Sequence, residues 1–270
     1  MDIFLFLIYK DTKLFLMITL VVVFSICLHE FFHAWTALKF GDTTAADRGH
    51  LTLNPLRQMG PMSIIMFLLL GFAWGAVPVN PAVLRARSRH APAIVALAGP
   101  ATNFGLFLIG FFFFGFLATR IWILVENEAA GETILELFLL LGIYNLFLCI
   151  FNLLPIPGLD GWNALTEYMP RLRNIHSEFA KGVTIFLIFL LFFLADDIFA
   201  LSRDVMFFAK DLLSADRGDR QEQAFSPFSH EDEDRTGGLP VASVSAKTGK
   251  NSGPPLEIYA EDAIFTGLPK

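Results

Sequence analysis

The chain has 270 residues, of which 54% are hydrophobic, and a mean hydropathy of +0.56. These values are too apolar for an ordinary soluble domain and indicate a protein embedded in a lipid bilayer. The formal net charge of −6 gives no basic field of the kind that binds nucleic acid, so no nucleic-acid partner is expected.

Long apolar runs predict an all-α, polytopic membrane protein with about four transmembrane helices. After an N-terminal segment at residues 1–13, the predicted spans cover residues 14–38, 93–119, 133–154 and 182–195. The first three are long enough to cross a hydrocarbon core about 30 Å thick, whereas the fourth is short and needs help from its flanks. Together they predict one core domain over residues 14–200.

Three other segments differ from these spans. Residues 59–79 are apolar but interrupted by glycine and proline, which indicates a re-entrant or broken segment. Residues 201–213 are a possible interfacial helix. Residues 214–270 are rich in Gly, Ser, Pro and acidic side chains, and they predict a disordered polar tail.

The distribution of Lys and Arg among the loops predicts the orientation. Basic residues follow the first span, precede the span at 93–119 and follow the span at 133–154, whereas residues 120–132 are mostly acidic. The basic loops are therefore expected inside and the acidic one outside. If residues 59–79 enter and leave by the same face, Asn103 and Asp160 reach the same cytoplasmic depth as the end of the first span.

The strongest motif, His29-Glu30-Phe31-Phe32-His33, lies in that first span. Histidines four residues apart lie on one face of a helix, one turn apart, so both can bind one metal ion. Zinc would lower the pKa of its bound water, and Glu30 would accept the water proton and pass it to the leaving amine. Three ionisable groups within five residues of an apolar helix also need a partner, which a divalent cation supplies.

A catalytic zinc site usually has three protein ligands and one open position. Among downstream carboxylates, Glu136 lies near the opposite membrane face, whereas Asp160 is at the depth of the histidines. Asp160 also lies among Pro157, Gly158 and Gly161, where irregular backbone can present a carboxylate. We therefore predict Asp160 as the third ligand.

At these residues the chain resembles the site-2 protease family of intramembrane zinc metalloproteases, in its compact bacterial branch without an inserted PDZ domain. The resemblance covers about residues 14–170. The elements that carry it are His29-Glu30-x-x-His33, Gly99-Pro100-x-x-Asn103, Asn152-x-x-Pro155 with Leu159-Asp160-Gly161, and the segments at 51–56 and 78–81. The chain departs from the branch at Gly75-Ala76-Val77, where a basic residue and a proline are usual, and at Gly158, where a second proline is usual.

The resemblance implies zinc-dependent cleavage of a transmembrane protein substrate by a multi-pass protein of the bacterial inner membrane, with its active site toward the cytoplasm. It implies one Zn²⁺ per chain, held by His29, His33 and Asp160, with Glu30 as the base. It further implies that Asn103 and Asn152 hold the substrate strand or stabilise the oxyanion. An alternative for both asparagines is that they satisfy the backbone of broken helices.

Two other functions compete with an intramembrane protease. A divalent-cation transporter would also carry intramembrane His and Asp, but its ligands should be spread over several helices along a continuous polar path. A non-catalytic membrane scaffold would be expected to have lost Glu30 or a ligand, and all are present. The identity of the substrate and the oligomeric state stay open.

Overall fold

The computed structural model of the chain describes residues 4–125, 127–169, 172, 194–210 and 212, and within these ranges it contains helices, turns and loops but no β-strand. A 3₁₀ turn at Phe4–Phe6 precedes the helices. In chain order these are α1 (Leu7–Lys10), α2 (Thr12–Lys39), α3 (Thr44–Asp47), α4 (Pro55–Gln58), α5 (Gly60–Leu70), α6 (Pro81–Arg87), α7 (Ala91–Ala118), α8 (Ile121–Leu124), α9 (Glu128–Leu153), α10 (Asp160–Tyr168) and α11 (residues 194–210).

Helices α2, α7 and α9 are long and apolar enough to cross a membrane, which confirms three of the predicted spans. Two of them begin earlier than their apolar runs because a side chain caps the first turn. The Asp11 carboxylate accepts the N–H of Leu14 at 2.8 Å, and the Asn127 amide oxygen accepts the N–H of Ala130 at 3.2 Å. The predicted span at 182–195 lies almost wholly outside the described residues.

Helices α2 and α9 run in the same direction, and α7 runs opposite to both. Lys13 near the start of α2 forms an ion pair of 2.6 Å with Glu136 near the start of α9, and further along Ser25 of α2 meets Asn145 of α9. This arrangement is the one that the loop charges predicted, with the end of α2, the start of α7 and the end of α9 at one end of the bundle.

Small residues let the long helices approach closely. A Cβ on Gly110 of α7 would lie closer than 3.0 Å to the backbone of Gly142 of α9, so only glycine fits there. The fully buried side chain of Met206 packs against Gly142, in the space that a Cβ would occupy. Met206 belongs to α11, which begins by residue 194 rather than at 201. The interfacial position expected for residues 201–213 stays a prediction, and the tail at 214–270 lies outside the described residues.

The interrupted segment at 59–79 forms a helix and then a stretch that runs back beside it. This stretch, residues 72–80, has no regular secondary structure, and we call it the return strand. Helix α5 has 11 residues and is about 16 Å long, roughly half of a hydrocarbon core. It ends at Gly71, whose left-handed φ of 77° turns the chain back. The Trp74 N–H then donates to Ser63 Oγ at 2.8 Å, and the Ala76 N–H donates to the Gln58 carbonyl at 3.1 Å. The chain therefore leaves at the end where it entered, as the re-entrant alternative requires.

Candidate metal centre

The motif side chains lie in the second half of α2, where His29 and His33 face α7. His29, Glu30 and His33 are buried, with exposed fractions of 6%, 7% and 8%. The two imidazole rings are one turn apart, and their centroids are 4.6 Å from each other. The helical periodicity expected from the sequence thus brings both rings to one face.

The tertiary structure adds Asp160 to this pair. Its Oδ2 lies 3.0 Å from His29 Nε2 and 3.2 Å from His33 Nε2, and the two Nε2 atoms are 3.0 Å apart. Tetrahedral zinc with bonds of about 2.0–2.1 Å needs ligand atoms roughly 3.3 Å from one another. The three atoms therefore form a triangle of nearly the size that a zinc ion requires.

The hydrogen bonds on the far sides of the rings leave electron pairs facing the triangle. His33 Nδ1 donates to the Val95 carbonyl at 2.7 Å, and His29 Nδ1 donates to Asn103 Oδ1 at 2.5 Å. Because both oxygens can only accept, both Nδ1 atoms carry a proton, and Nε2 is the nitrogen left to face the triangle. When both imidazoles are neutral, as metal ligands must be, two nitrogen lone pairs and a carboxylate oxygen face one another at about 3 Å, and a cation between them would remove their repulsion. The donor set therefore fits zinc.

Gly99 of α7 leaves the space that such an ion needs. A Cβ at this position would lie closer than 3.0 Å to the Nε2 atoms of both His29 and His33. No side chain larger than hydrogen can occupy that point without displacing the rings or filling the metal position. The first residue of the Gly99-Pro100 element thus borders the metal centre.

The turn between α9 and α10 places Asp160. Gly158 has a φ of 99°, a left-handed conformation that proline cannot adopt, which accounts for the absence of the second proline of the family pattern. A Cβ on Gly161 would lie closer than 3.0 Å to the Leu153 carbonyl at the end of α9. The start of α10 therefore abuts the end of α9, and Asp160 occupies the first position of α10.

Helix α10 is held onto α6 and α7 by contacts at its other end. Arg85 of α6 forms a two-bond ion pair with Glu167, through Nε at 2.9 Å and Nη2 at 2.7 Å. His90 Nδ1 lies 3.3 Å from the Tyr168 hydroxyl. Small alanine side chains fill the helix interface between α7 and α10, so the two helices pack closely. These contacts keep Asp160 at the depth of the histidines.

Glu30 lies beside the triangle, against the return strand of the re-entrant segment. A Cβ on Gly75 would lie closer than 3.0 Å to Glu30 Oε1, Cγ and Cδ. Only glycine lets the strand pass this close to the carboxylate. The departure from the family pattern at Gly75 therefore coincides with the point where the strand crosses Glu30.

The structure thus brings His29, His33, Asp160 and Glu30 together and joins Asn103 to His29. Asn152 instead donates from Nδ2 to the Leu148 carbonyl of its own helix at 3.0 Å. Sequence reasoning did not single out Ser25 or Asn145, which hydrogen-bond to each other behind the site. The signal for Asn145 was available, since an amide inside an apolar span is costly unless it has a partner.

A histidine pair and an aspartate with a neighbouring glutamate, set among helices long enough to cross a membrane, define the class of membrane-embedded zinc metallopeptidases. The model of a family described as "Peptidase family M50" matches residues 17–194. The chain belongs to this family and is an integral membrane zinc metallopeptidase. Membership sets aside the transporter and the scaffold as alternatives.

Curated relatives carry names of the same kind. The chain is 38% identical over 179 residues to "Putative zinc metalloprotease YwhC" of Bacillus subtilis, a match that covers 64% of this chain and 78% of the relative. It is 38% identical over 154 residues to "Putative zinc metalloprotease Rip2" of Mycolicibacterium smegmatis, covering 54% of each. The Rip2 protein of Mycobacterium tuberculosis H37Rv is 33% identical over 171 residues, covering 62% of each. No solved structure matches the chain.

Proposed function

We propose that this protein cleaves peptide bonds of membrane-protein substrates inside the membrane, with one zinc ion per chain. His29, His33 and Asp160 are the ligands, and Glu30 is the general base. The observation that carries the proposal is the convergence of the three ligand atoms within 3.0–3.2 Å beside a buried glutamate.

The roles follow from the chemistry of each group. Bound zinc supplies a Lewis acid that polarises the scissile carbonyl and makes water acidic enough to lose a proton near neutral pH. Glu30, next to His29 in the chain, accepts the proton of the attacking water and passes it to the leaving amine. Burial of Glu30 under the return strand excludes bulk water from its carboxylate and leaves the attacking water as its proton donor.

The depth of the site supports an intramembrane reaction. His33 and His29 precede Lys39, the last residue of α2, by six and ten residues. At 1.5 Å per residue they lie about 9 and 15 Å in from the helix end. The scissile bond must therefore reach the catalytic group from within the helix bundle rather than at its surface, which favours a membrane-embedded substrate.

A groove along α2 favours the same class of substrate. It is apolar and extends along the helix as far as Cys27, which precedes Glu30 by three residues and lies on the same face of α2. Its lining consists of Leu16, Thr19, Leu20, Val23, Phe24, Cys27 and Leu53. An apolar transmembrane segment of a substrate would match this lining.

We further propose a location in the bacterial inner membrane with the metal end of the bundle toward the cytoplasm. The proposal rests on the basic loops next to that end, with Arg85, Arg87 and Arg89 before α7, and on the acidic connection before α9. Labelling of single cysteines at the exposed positions Ala86 and Asn127 with a membrane-impermeant reagent tests it. Reaction of position 86 only from the cytoplasmic side and of position 127 only from the opposite side agrees with it, and the reverse pattern or labels on the same side contradict it.

The decisive experiment is Glu30→Gln in a cleavage assay with a transmembrane substrate in liposomes, combined with zinc analysis of the purified protein. We expect cleavage to be lost while zinc is retained, because the amide cannot accept the proton and Glu30 is not a ligand. His33→Ala serves as the matched variant and should lose both cleavage and zinc. Unchanged cleavage by the Glu30→Gln protein would contradict the proposed mechanism.

A further inference from the structure

A chain of three hydrogen bonds, which begins and ends on α2, joins the three long helices behind the candidate metal centre; we call it the circuit. It runs from Ser25 of α2 to Asn145 of α9, then to Asn103 of α7, and returns to α2 at His29. The distances in that order are 2.8, 2.9 and 2.5 Å. Ser25, Asn103 and Asn145 are completely buried. Because an unpaired polar group costs about 1–3 kcal/mol in such surroundings, the four side chains depend on one another.

One backbone carbonyl sets the direction of the whole circuit. Asn145 Nδ2 lies 2.9 Å from the Leu141 carbonyl, which can only accept, so the NH₂ group of Asn145 faces that oxygen. Asn145 Oδ1 must then face Asn103, and it accepts from Asn103 Nδ2. This leaves Asn103 Oδ1 facing His29, where it can only accept a proton from Nδ1.

The position of the Nδ1 proton of His33 is fixed in a simpler way. His33 Nδ1 donates directly to the Val95 carbonyl, so the backbone itself determines which nitrogen carries the proton. His29 meets an amide instead, and an amide that rotates by half a turn would present NH₂ rather than oxygen. Only the fixed direction of Asn145 prevents that rotation of Asn103.

We propose that Asn145 is a positioning residue that sets the tautomer of His29 through Asn103. With the proton on Nδ1, the Nε2 lone pair points at Asp160 and the metal position. Without Asn145, the Asn103 amide can turn over and offer NH₂ to Nδ1. The proton of His29 then moves to Nε2 and occupies the space between the ligands. The proposal rests on His29 being a ligand, as proposed above.

The test uses full-length protein in detergent micelles, with ¹⁵N-labelled histidine and no metal. Two-bond nitrogen–proton spectra distinguish the two tautomers of each imidazole, and His29→Gln assigns the His29 signal. In Asn145→Leu we expect His29 to change from one tautomer to a mixture, while His33 keeps its Nδ1 proton. Since His33 reports on the same helices, it shows whether the fold survives. Zinc affinity, measured by chelator competition, should fall roughly tenfold or more.

Two matched variants distinguish an effect of the hydrogen-bond direction from an effect on helix packing. Ser25→Ala removes one acceptor of Asn145 but leaves the Leu141 carbonyl, so the His29 tautomer should stay as in the unmodified protein. Asn103→Asp, combined with Asn145→Leu, puts a carboxylate oxygen against His29 whatever its rotation. This double variant should restore the Nδ1 proton and most of the zinc affinity.

Three results would overturn the proposal. One is a single Nδ1-protonated His29 with unchanged zinc affinity in Asn145→Leu. Another is a failure of Asn103→Asp to rescue the tautomer in protein whose His33 signal is intact. The third is a loss of the tautomer in Ser25→Ala. Full zinc affinity in His29→Gln would instead contradict the ligand assignment of the proposed function, and the tautomer measurements distinguish the two failures.

Discussion

Gly99 of α7 lies so close to His33 of α2 that a single added carbon would fall within 3.0 Å of His33 Nε2. The proposed metal position is therefore bounded on one side by the candidate ligand atoms and on the other by the absence of a side chain. Two helices that are far apart in the sequence share the space for one ion.

Gly99→Ala should abolish or strongly weaken zinc binding without unfolding the protein. Overpacking typically costs about 1–3 kcal/mol, which corresponds to roughly 5- to 150-fold weaker binding. Zinc content after purification and chelator competition measure the effect. Gly105→Ala in the same helix is the matched control, because a Cβ there meets nothing within 4 Å. Equal zinc affinities of the two variants would show that Gly99 does not border the ion.

Gly75→Ala should lower the cleavage rate while zinc stays bound. The added Cβ would press on the Glu30 carboxylate, and Glu30 can avoid it only by turning away from the attacking water or by moving the return strand. We expect a fall in kcat of about tenfold. Loss of zinc together with activity would mean that the strand supports the ligands rather than the base.

Asp42→Asn should reduce stability at neutral pH. The buried Asp42 carboxylate accepts the Asn80 N–H at 2.6 Å, which ties the start of α6 to the end of α2, and it also accepts the N–H and hydroxyl of Thr44. Hydrogen bonds to a charged group contribute about 1.5–3 kcal/mol, so the loss should be of order 1 kcal/mol where the amide keeps some of them. Thermal unfolding in detergent at pH 7 measures it.

The same carboxylate predicts a pH dependence. Burial of Asp42 raises its pKa, but the hydrogen bonds from Asn80 and Thr44 outweigh this and hold the pKa below the usual 3.8. A lowered pKa in the folded state stabilises the protein above the unfolded pKa, and this stabilisation is lost as the pH falls through the folded value. The difference between the unmodified protein and Asp42→Asn should therefore be full at pH 7 and shrink below about pH 4. A difference that grows on acidification would contradict the assignment.

Glu167→Gln should weaken zinc binding modestly, although Glu167 is seven residues from Asp160. The variant loses the charge that pairs with Arg85, so α10 is held less firmly against α6. The Arg85 side chain is 40% exposed, which limits the pair to about 0.5–1 kcal/mol. We expect zinc affinity to fall roughly two- to fivefold, and the effect should diminish at high salt. Asp204→Asn is the control. It removes the ion pair between the consecutive residues Arg203 and Asp204 of α11 and should leave zinc affinity unchanged.

The sequence alone determined the class of fold, three of the spans and the metal motif, because each depends on local patterns. Uninterrupted apolar length predicts a membrane helix, and a spacing of four residues puts His29 and His33 on one face. The loop charges and the number of membrane crossings also placed Asp160 and Asn103 at the depth of the histidines, because the side of the membrane on which a helix begins depends only on how many times the chain has crossed it.

Only the tertiary structure decided how those groups meet. The contacts between side chains depend on the rotation of each helix about its axis and on close approaches at Gly75 and Gly99. Both glycines can be noticed in the sequence, but local patterns do not specify which side chain each one approaches. The partners of Asn103 also belong to helices distant in sequence. The family resemblance implied that it holds the substrate strand or stabilises the oxyanion, with satisfaction of broken-helix backbone as the alternative, and the fold buries its amide between Asn145 and His29. Packing between helices thus brings His29, His33 and Asp160 into one triangle and sets Asn103 against His29.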